Sequence, residues 1–340
     1  IRLAGAVRPP LFADAISLLM TARQEAAGLL DPEQERDLCL ELSRVARQEL
    51  QDLSQALQLS QEALGLDPSS IKALRQLESL YEEQGSWERV VTSLSELAEL
   101  TFDEEKESIL FKLGDVYRDH LGLFDQSIGA YNTLLALNPT RRDAVEALHM
   151  LYRQQNDPNA LFNVIHQEID LIKSEIAEGE EGIHTATLGL ELELAMLEIE
   201  ELDKLESAIE RLQGILDRHQ AHPVALRALE QIQENPTFGK GAAQLLVQVY
   251  KDKEDWAPYV NSLKVIARDL VDSEERVKLY EEMAHVYLEQ LKDDQGAQEA
   301  LIALLREQPE HEKAVGQLQY VVERTGDWTS FATVYEEVIH

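Results

Sequence analysis

The chain has 340 residues, of which 44% are apolar and 28% charged, a composition typical of folded and not of disordered proteins. Its 31 basic and 64 acidic residues give a formal net charge of −33, which disfavours binding to nucleic acids and anionic membranes. The single cysteine excludes an internal disulfide and a multi-cysteine zinc site. No apolar run approaches the roughly 18 residues of a membrane span.

The two ends of the chain indicate a fragment of a longer protein. The first residue is Ile1 instead of Met, and His340 stands inside an amphipathic helical pattern. We predict an N-terminal flanking helix over residues 1–32 and a repeat region over 33–340. Any catalytic or targeting domain is expected outside this chain.

Prolines that follow apolar helical segments mark the repeat. Four of them are spaced by 71, 84 and 86 residues: Pro68, Pro139, Pro223 and Pro309. After Pro223 the register breaks, and a restart at Pro236 gives a spacing of 73 to Pro309. This pattern predicts units of about 71–73 residues with four helices each. It also predicts one insertion, which makes the region around 175–238 irregular.

Pairs of small residues, thirteen positions apart, precede the four prolines. They are Ser43 with Ala56, Gly114 with Ser127, Ala195 with Ala208, and Ala284 with Ala297. Small side chains let two helices approach closely, so each pair predicts the crossing point of a helical hairpin. At Gly114 we expect alanine to be tolerated and phenylalanine to overpack the crossing.

Turn residues follow the same register. Gly85-Ser86-Trp87 and Gly326-Asp327-Trp328 predict short helix–helix turns, with glycine at the C-terminus of one helix and Ser or Asp as the N-cap of the next. No segment alternates in the manner of a strand. The sequence therefore predicts an all-α fold.

The repeated residues resemble the tetratricopeptide repeat (TPR), a 34-residue helix-turn-helix. The motif residues appear in order twice: Leu113, Gly114, Tyr117, Ser127, Tyr131 and Pro139, and again Met283, Ala284, Tyr287, Ala297 and Pro309. The chain departs from the motif by one extra residue in some turns, and by Glu78, His149 and Gln319 where TPRs prefer a small residue. The resemblance, to a divergent bacterial-type TPR array, implies a right-handed α-solenoid of stacked TPR-like helix-turn-helix repeats with about seventeen or eighteen helices.

In TPR proteins the first helix of each repeat lines a concave face that usually binds an extended peptide or a partner helix. The resemblance thus implies a partner-binding basic stripe in the amino-terminal half, made of Arg44, Arg47, Lys72, Arg75, Arg118 and Arg153. Because arginine matches carboxylates and phosphates, this stripe is expected to dock an acidic peptide. The alternative is that these arginines pair with neighbouring acids, namely Asp37, Glu82, Glu83, Asp115 and Asp119. In the later half the same face would present Glu191, Glu200, Glu281 and Glu289 with His285 and Tyr320.

Other candidate sites have structural interpretations. Residues 175–207 hold eleven acidic residues and one basic residue, Lys204, and contain the loop signal Glu178–Gly182. We interpret this segment as a solvated face, the alternative being a site for a basic partner or a cation. We interpret His219 and His222 as a positive charge at the C-terminal end of a helix. Cys39 is expected to be an inert core residue. The recurring tryptophans are expected to pack between helices.

The chain carries no recognisable nucleophile, phosphate-binding or metal-ligand motif. We therefore predict a protein–protein interaction scaffold or adaptor that is not an enzyme, uses no cofactor or metal, and binds neither nucleic acid nor the membrane interior. Its partner is expected to be a protein or peptide, and a cytoplasmic location is favoured. The alternatives are a regulatory or targeting segment of a longer enzyme and a homo-oligomerising structural module.

Overall fold

The computed structural model describes residues 31–175 and 180–329, together with Asp14, residues 17–23, Phe331, Ala332 and Glu336. Most of the flanking helix predicted over 1–32 therefore lies outside the described residues, as do Glu178 and Gly179 of the predicted loop. Gly182 of that loop instead lies in the first turn of a helix. Within the described ranges every regular element is helical.

Contacts divide the chain into two units, Ile1–Asp157 and Pro158–His340. The helices of the first unit are α1 (Pro32–Val45), α2 (Leu53–Leu66), α3 (Ile71–Gln84), α4 (Trp87–Leu100), α5 (Asp103–Val116), α6 (Phe124–Leu137) and α7 (Arg142–Gln155). Each has 14 residues, about four turns. The pairs α1/α2, α3/α4 and α5/α6 form hairpins, and each hairpin packs on the next.

The second unit has nine described helices. They are α8 (Pro158–Glu175), α9 (Glu180–Glu200), α10 (Leu205–Arg218), α11 (Pro223–Ile232), α12 (Gly239–Asp252), α13 (Trp256–Arg268), α14 (Ser273–Val286), α15 (Asp294–Glu307) and α16 (Glu312–Thr325). The hairpins are α9/α10, α12/α13 and α14/α15. The short α11 is the predicted insertion. The predicted all-α array of TPR-like helical hairpins is therefore confirmed.

The predicted turn residues occupy the helix ends. Pro68, Pro139 and Pro309 lie in the turns before α3, α7 and α16. Gly85 and Gly326 adopt the left-handed conformation, with φ angles of +73° and +76°. Ser86 precedes α4, but its hydroxyl bonds to the Gln84 side chain at 2.9 Å and does not cap the helix. The glycine prediction is confirmed, and the serine cap is wrong.

The small residues do form the hairpin crossings. All eight are buried. In two hairpins a serine hydroxyl donates across the crossing to the opposite backbone: Ser43 to the Ala56 carbonyl at 2.7 Å, and Ser127 to the Gly114 carbonyl at 2.8 Å. At these two crossings a serine side chain is therefore long enough to reach the backbone of the opposite helix.

The extra turn residue forms a π-helical segment at the end of a first helix. Three such segments, Ala46–Leu50, Tyr117–Leu121 and Tyr287–Leu291, are each followed by a left-handed residue, respectively Gln51, Gly122 and Lys292. The next amide then bonds back to the carbonyl that begins the segment, at 2.9–3.0 Å. In α9/α10 the Lys204 amide makes the same closure to the Glu198 carbonyl at 2.8 Å, with Asp203 left-handed.

The packing at Gly114 shows that the predicted tolerance of alanine is wrong. A Cβ atom on Gly114 would lie 2.5 Å from Cε1 and 2.7 Å from Cζ of Tyr131. The Tyr131 ring is fully buried, and its hydroxyl donates to Asp115 at 2.7 Å. The ring is therefore held in place and cannot move aside for an added methyl group. The crossing therefore requires glycine.

We expect Gly114→Ala to lower the free energy of unfolding by about 1–3 kcal/mol through overpacking. Gly129→Ala is the matched control, because Gly129 lies in the facing helix α6 with no atom within 4 Å of a new Cβ. That change should raise the free energy of unfolding by up to about 1 kcal/mol through helix propensity. Urea denaturation measures both, and equal midpoints for the two variants would contradict this account of the crossing.

Candidate interaction surface

The first helices of neighbouring hairpins lie side by side within the first unit. The Gln76 side-chain amide of α3 donates to the Leu40 carbonyl of α1 at 3.2 Å and to the Ser43 hydroxyl at 2.8 Å. Arg47, just after α1, donates to the Ser79 hydroxyl at 3.0 Å. These helices form one continuous surface, which we call the first-helix face.

Five residues of the predicted basic stripe lie on the first helices of hairpins or on the π segments that end them, and Arg153 lies on α7. Three make ion pairs at the surface: Arg44 with Glu41 at 2.7 Å, Arg47 with Glu83 at 2.7 Å, and Arg75 with Glu105. Lys72 is exposed and makes no ion pair with any residue that the structure describes. Arg153 is exposed near the end of α7.

Arg118 has a different environment from the rest of the stripe. Its side chain is 25% exposed and pairs with Asp115 at 2.8 Å and with Asp119 at 2.7 Å. It also donates to the Tyr131 hydroxyl of α6 at 2.9 Å. The hydrogen bond from Arg118 lowers the pKa of Asp119. Arg118 therefore connects the two helices of its own hairpin.

Some of the ion pairs expected between the basic stripe and nearby acidic residues are present. Arg47 meets Glu83, and Arg118 meets Asp115 and Asp119. The other two acids have different partners, since Asp37 pairs with Arg36 at 2.8 Å and Glu82 pairs with Lys112 at 2.7 Å.

Lys112 on α5 explains the glutamate that replaces a small TPR residue on α3. Glu78 is buried, and the Lys112 ammonium lies 2.6 Å from its carboxylate. Burial lowers the pKa of Lys112, but hydrogen bonds to Glu78 and Glu82 outweigh it, and the pKa is raised overall. This bridge fastens neighbouring first helices to each other.

The acidic segment 175–207 is not simply a solvated face. Glu198 is fully buried and accepts hydrogen bonds from Ser207 at 2.7 Å and from Arg211 at 2.9 and 3.0 Å. Glu191, expected on the binding face, is also buried and pairs with Arg218 at 2.6 Å. The solvated-face interpretation is wrong for these two residues, because α10 brings in two arginines that neutralise them.

The second unit carries a basic groove that the sequence reasoning missed. It is a cavity of about 440 Å³ between the π segment Tyr287–Leu291 and α16, and its basic side chains are Lys292, Lys313 and Arg324. The ring of Tyr320 beside them is 56% exposed. Lys313 follows Pro309 by four residues as Lys72 follows Pro68, so the repeat register contained the signal.

The cations of the basic groove are held loosely. Lys292 lies 3.7 Å from Glu289, and Lys313 lies 3.6 Å from Glu281, with both ammonium groups exposed. Arg324 is held more closely, 3.1 Å from Asp294. Ion pairs of this exposed kind contribute only about 0–1 kcal/mol, so the two lysines are available to a ligand.

The remaining candidates lie in packed surroundings. Cys39 is buried, and this burial raises the pKa of its thiol. Trp87 stacks on His120 with ring centroids 3.4 Å apart. His219 Nε2 and His222 Nδ1 are buried and have no hydrogen-bond partner in the described part of the chain. Across residues 31–175 and 180–329, no three His, Cys, Asp or Glu side chains are grouped to hold a metal. None of the helices there is long and apolar enough to cross a membrane.

We expect Lys112→Met to lower the free energy of unfolding by about 1.5–3 kcal/mol, because it leaves the buried Glu78 carboxylate without its charged donor. Lys112→Met/Glu78→Met should recover most of that loss, since a buried ion pair is replaceable by apolar side chains. Glu41→Gln, which breaks an exposed pair, serves as control and should cost less than about 1 kcal/mol. Denaturant titrations measure all three. A Lys112→Met loss no larger than the control would show that the bridge is not structural.

Comparison with known proteins gives matches among solved structures alone. No family model and no curated protein matches the chain. YrrB, titled a TPR protein with an unusual peptide-binding site, is 14% identical, with 62% of this chain and 97% of that chain covered at a TM-score of 0.34. MamA is 16% identical, with 60% of this chain and 97% of that chain covered at a TM-score of 0.35. A tetratricopeptide repeat protein from Parabacteroides merdae is 17% identical, with 85% of this chain and 99% of that chain covered at a TM-score of 0.33.

These identities and TM-scores are low, so the assignment rests on the features of the chain itself. Its hairpin crossings and turn residues follow the repeat register, with one break at the inserted helix α11. The chain is a TPR-like array of helical hairpins.

Proposed function

We propose that this chain is a non-catalytic protein–protein interaction scaffold that binds an acidic or phosphorylated peptide of a partner on its first-helix face. The observation that carries the proposal is the exposure of basic side chains on the first-helix face of the first unit and in the basic groove of the second unit, although the net charge is −33. Guanidinium and ammonium groups are the natural ligands of carboxylates and phosphates.

In the first unit the proposed site is the basic stripe of Arg44, Arg47, Lys72, Arg75, Arg118 and Arg153. The acids that pair with Arg44 and Arg75 are exposed, so a carboxylate of the partner exchanges with them at little cost. Lys72 precedes Arg75 by three residues on α3 and has no pair to break among the described residues. Arg118 contributes least, because it is bound within its own hairpin.

In the second unit the proposed site is the basic groove. It lies beside the π segment that ends α14, and a smaller set of residues lines the equivalent place beside Ala46–Leu50 in the first unit. The exposed Tyr320 ring adds an apolar contact next to the cations. The scaffold thus offers one acidic-peptide site in each unit.

The cytoplasmic location and the interpretation of the chain as a segment of a longer enzyme stay predictions. The same holds for the homo-oligomerising module.

The test is fluorescence polarisation with a labelled octapeptide of alternating glutamate and serine, and with its phosphoserine form. Arg44→Glu/Lys72→Glu/Arg75→Glu and Lys292→Glu/Lys313→Glu should each remove one class of site. Affinity should fall as salt rises, because exposed charges are screened over about 8–10 Å near physiological ionic strength. Arg118 is left unchanged, since its loss would disturb the hairpin.

The control is Lys173→Glu/Arg227→Glu, which makes the same change of charge as the basic-groove variant at two exposed residues of α8 and α11, outside the basic stripe and the basic groove. Binding should survive in this variant, and circular dichroism should show equal helicity in all variants. Peptide binding that the control weakens as much as the face variants would reject the proposal and leave a general charge effect.

A further inference from the structure

A cavity lies between α10 and α12, the two helices that the inserted helix α11 separates in sequence. In the first unit the second helix α2 leads directly to α3, but in the second unit α11 stands between α10 and α12. A cavity of about 360 Å³ lies between the C-terminal halves of α10 and α12, beside the turn that enters α11. We call it the insertion cavity. It shares no residue with the basic stripe or the basic groove.

The insertion cavity has an apolar floor and a polar rim. The floor is made of Leu216, Ala221, Leu245 and Val249, and the rim of Gln213, Asp217, Gln220, Gln248, Asp252 and Lys253. Asp217 makes no hydrogen bond or ion pair with any residue that the structure describes. Asp252 accepts bonds from Gln248 of its own helix, at 3.1 and 3.3 Å. Both carboxylates are exposed and make no ion pair with a described residue, although Lys253 lines the same cavity.

The two aspartates stand at unfavourable places in their helices. Asp217 is in the last turn of α10, and Asp252 is the last residue of α12. The C-terminus of a helix carries a partial negative charge, which favours cations and disfavours carboxylates. Two negative helix ends and two carboxylates thus meet at one cavity. Departures of this kind from local sequence rules are typical of functional sites.

We propose that the insertion cavity binds the side chain of an arginine from a basic segment of a partner protein. A guanidinium group has five N–H donors, which match the two carboxylates and the three glutamine oxygens of the rim. The methylene stem of the arginine fits the apolar floor. Lys253 on the same rim opposes a cation, so the two carboxylates must supply the net attraction. This site does not rest on the acidic-peptide function proposed above.

The test uses the full chain, labelled with ¹⁵N and titrated with N-acetyl-arginine N-methylamide. Saturable shifts are expected in the side-chain amides of Gln213 and Gln248. Asp217→Asn/Asp252→Asn should weaken the affinity at least about tenfold, because it removes both charged acceptors. Glu200→Gln/Glu310→Gln removes two exposed carboxylates elsewhere in the second unit, and it should leave the affinity unchanged.

Three results would overturn the proposal. These are shifts without saturation, shifts that persist in Asp217→Asn/Asp252→Asn, and equal binding of the norleucine analogue, which would mean an apolar site. The melting temperature of the double variant should not fall, because it removes two unfavourable charges at helix ends. If the double variant nevertheless unfolds, Asp217→Asn alone is titrated, and an affinity equal to that of the unchanged chain also rejects the proposal.

Discussion

The approach of two backbones at each hairpin crossing sets the rest of the structure. Where the crossing residues are glycine, alanine or serine, a backbone carbonyl of one helix comes within reach of a side chain as short as serine on the other. When two helices lie this close, the turn that connects them can adopt few backbone conformations. The π segment and its left-handed residue provide such a connection in three hairpins, and α9/α10 uses the same backbone closure.

This geometry also decides which charges are structural. Arg118, Arg211 and Lys112 reach buried or half-buried groups on a facing or neighbouring helix and hold them. Lys72 and Lys313 on helices, and Lys292 in the turn after α14 and its π segment, are exposed and make at most a loose ion pair with a described residue. Whether a basic side chain can bind a partner therefore depends less on its charge than on whether it already pairs with a carboxylate.

Much of the fold was predictable because its signals are local. A proline in a turn, a glycine in a left-handed conformation and a small residue at a crossing each follow from one or two neighbouring positions. The environment of a charged residue depends instead on the facing helix. Arg211 neutralises Glu198 from thirteen residues away, the same spacing as the small pairs, so a search for charges at that spacing would have found it.

Other features had no sequence signal. The thirteen-residue pattern requires a small residue at position 114 but does not reveal that the Tyr131 ring lies over its Cα atom. The availability of Lys72 compared with Arg75 likewise depends on where Glu105 stands on the next first helix. The insertion cavity needs the positions of two helices that the sequence separates by twenty residues.

The thirteen-residue spacing of the crossing pairs has a consequence for how the chain folds. Contacts between residues so near in sequence close short loops, and closing a short loop costs little chain entropy. Proteins built mainly from such contacts fold quickly for their size. Because each hairpin meets chiefly the hairpins next to it, folding can begin at any of them and spread to its neighbours. A nascent chain of this design acquires native contacts one hairpin at a time, before its distant end has been synthesised.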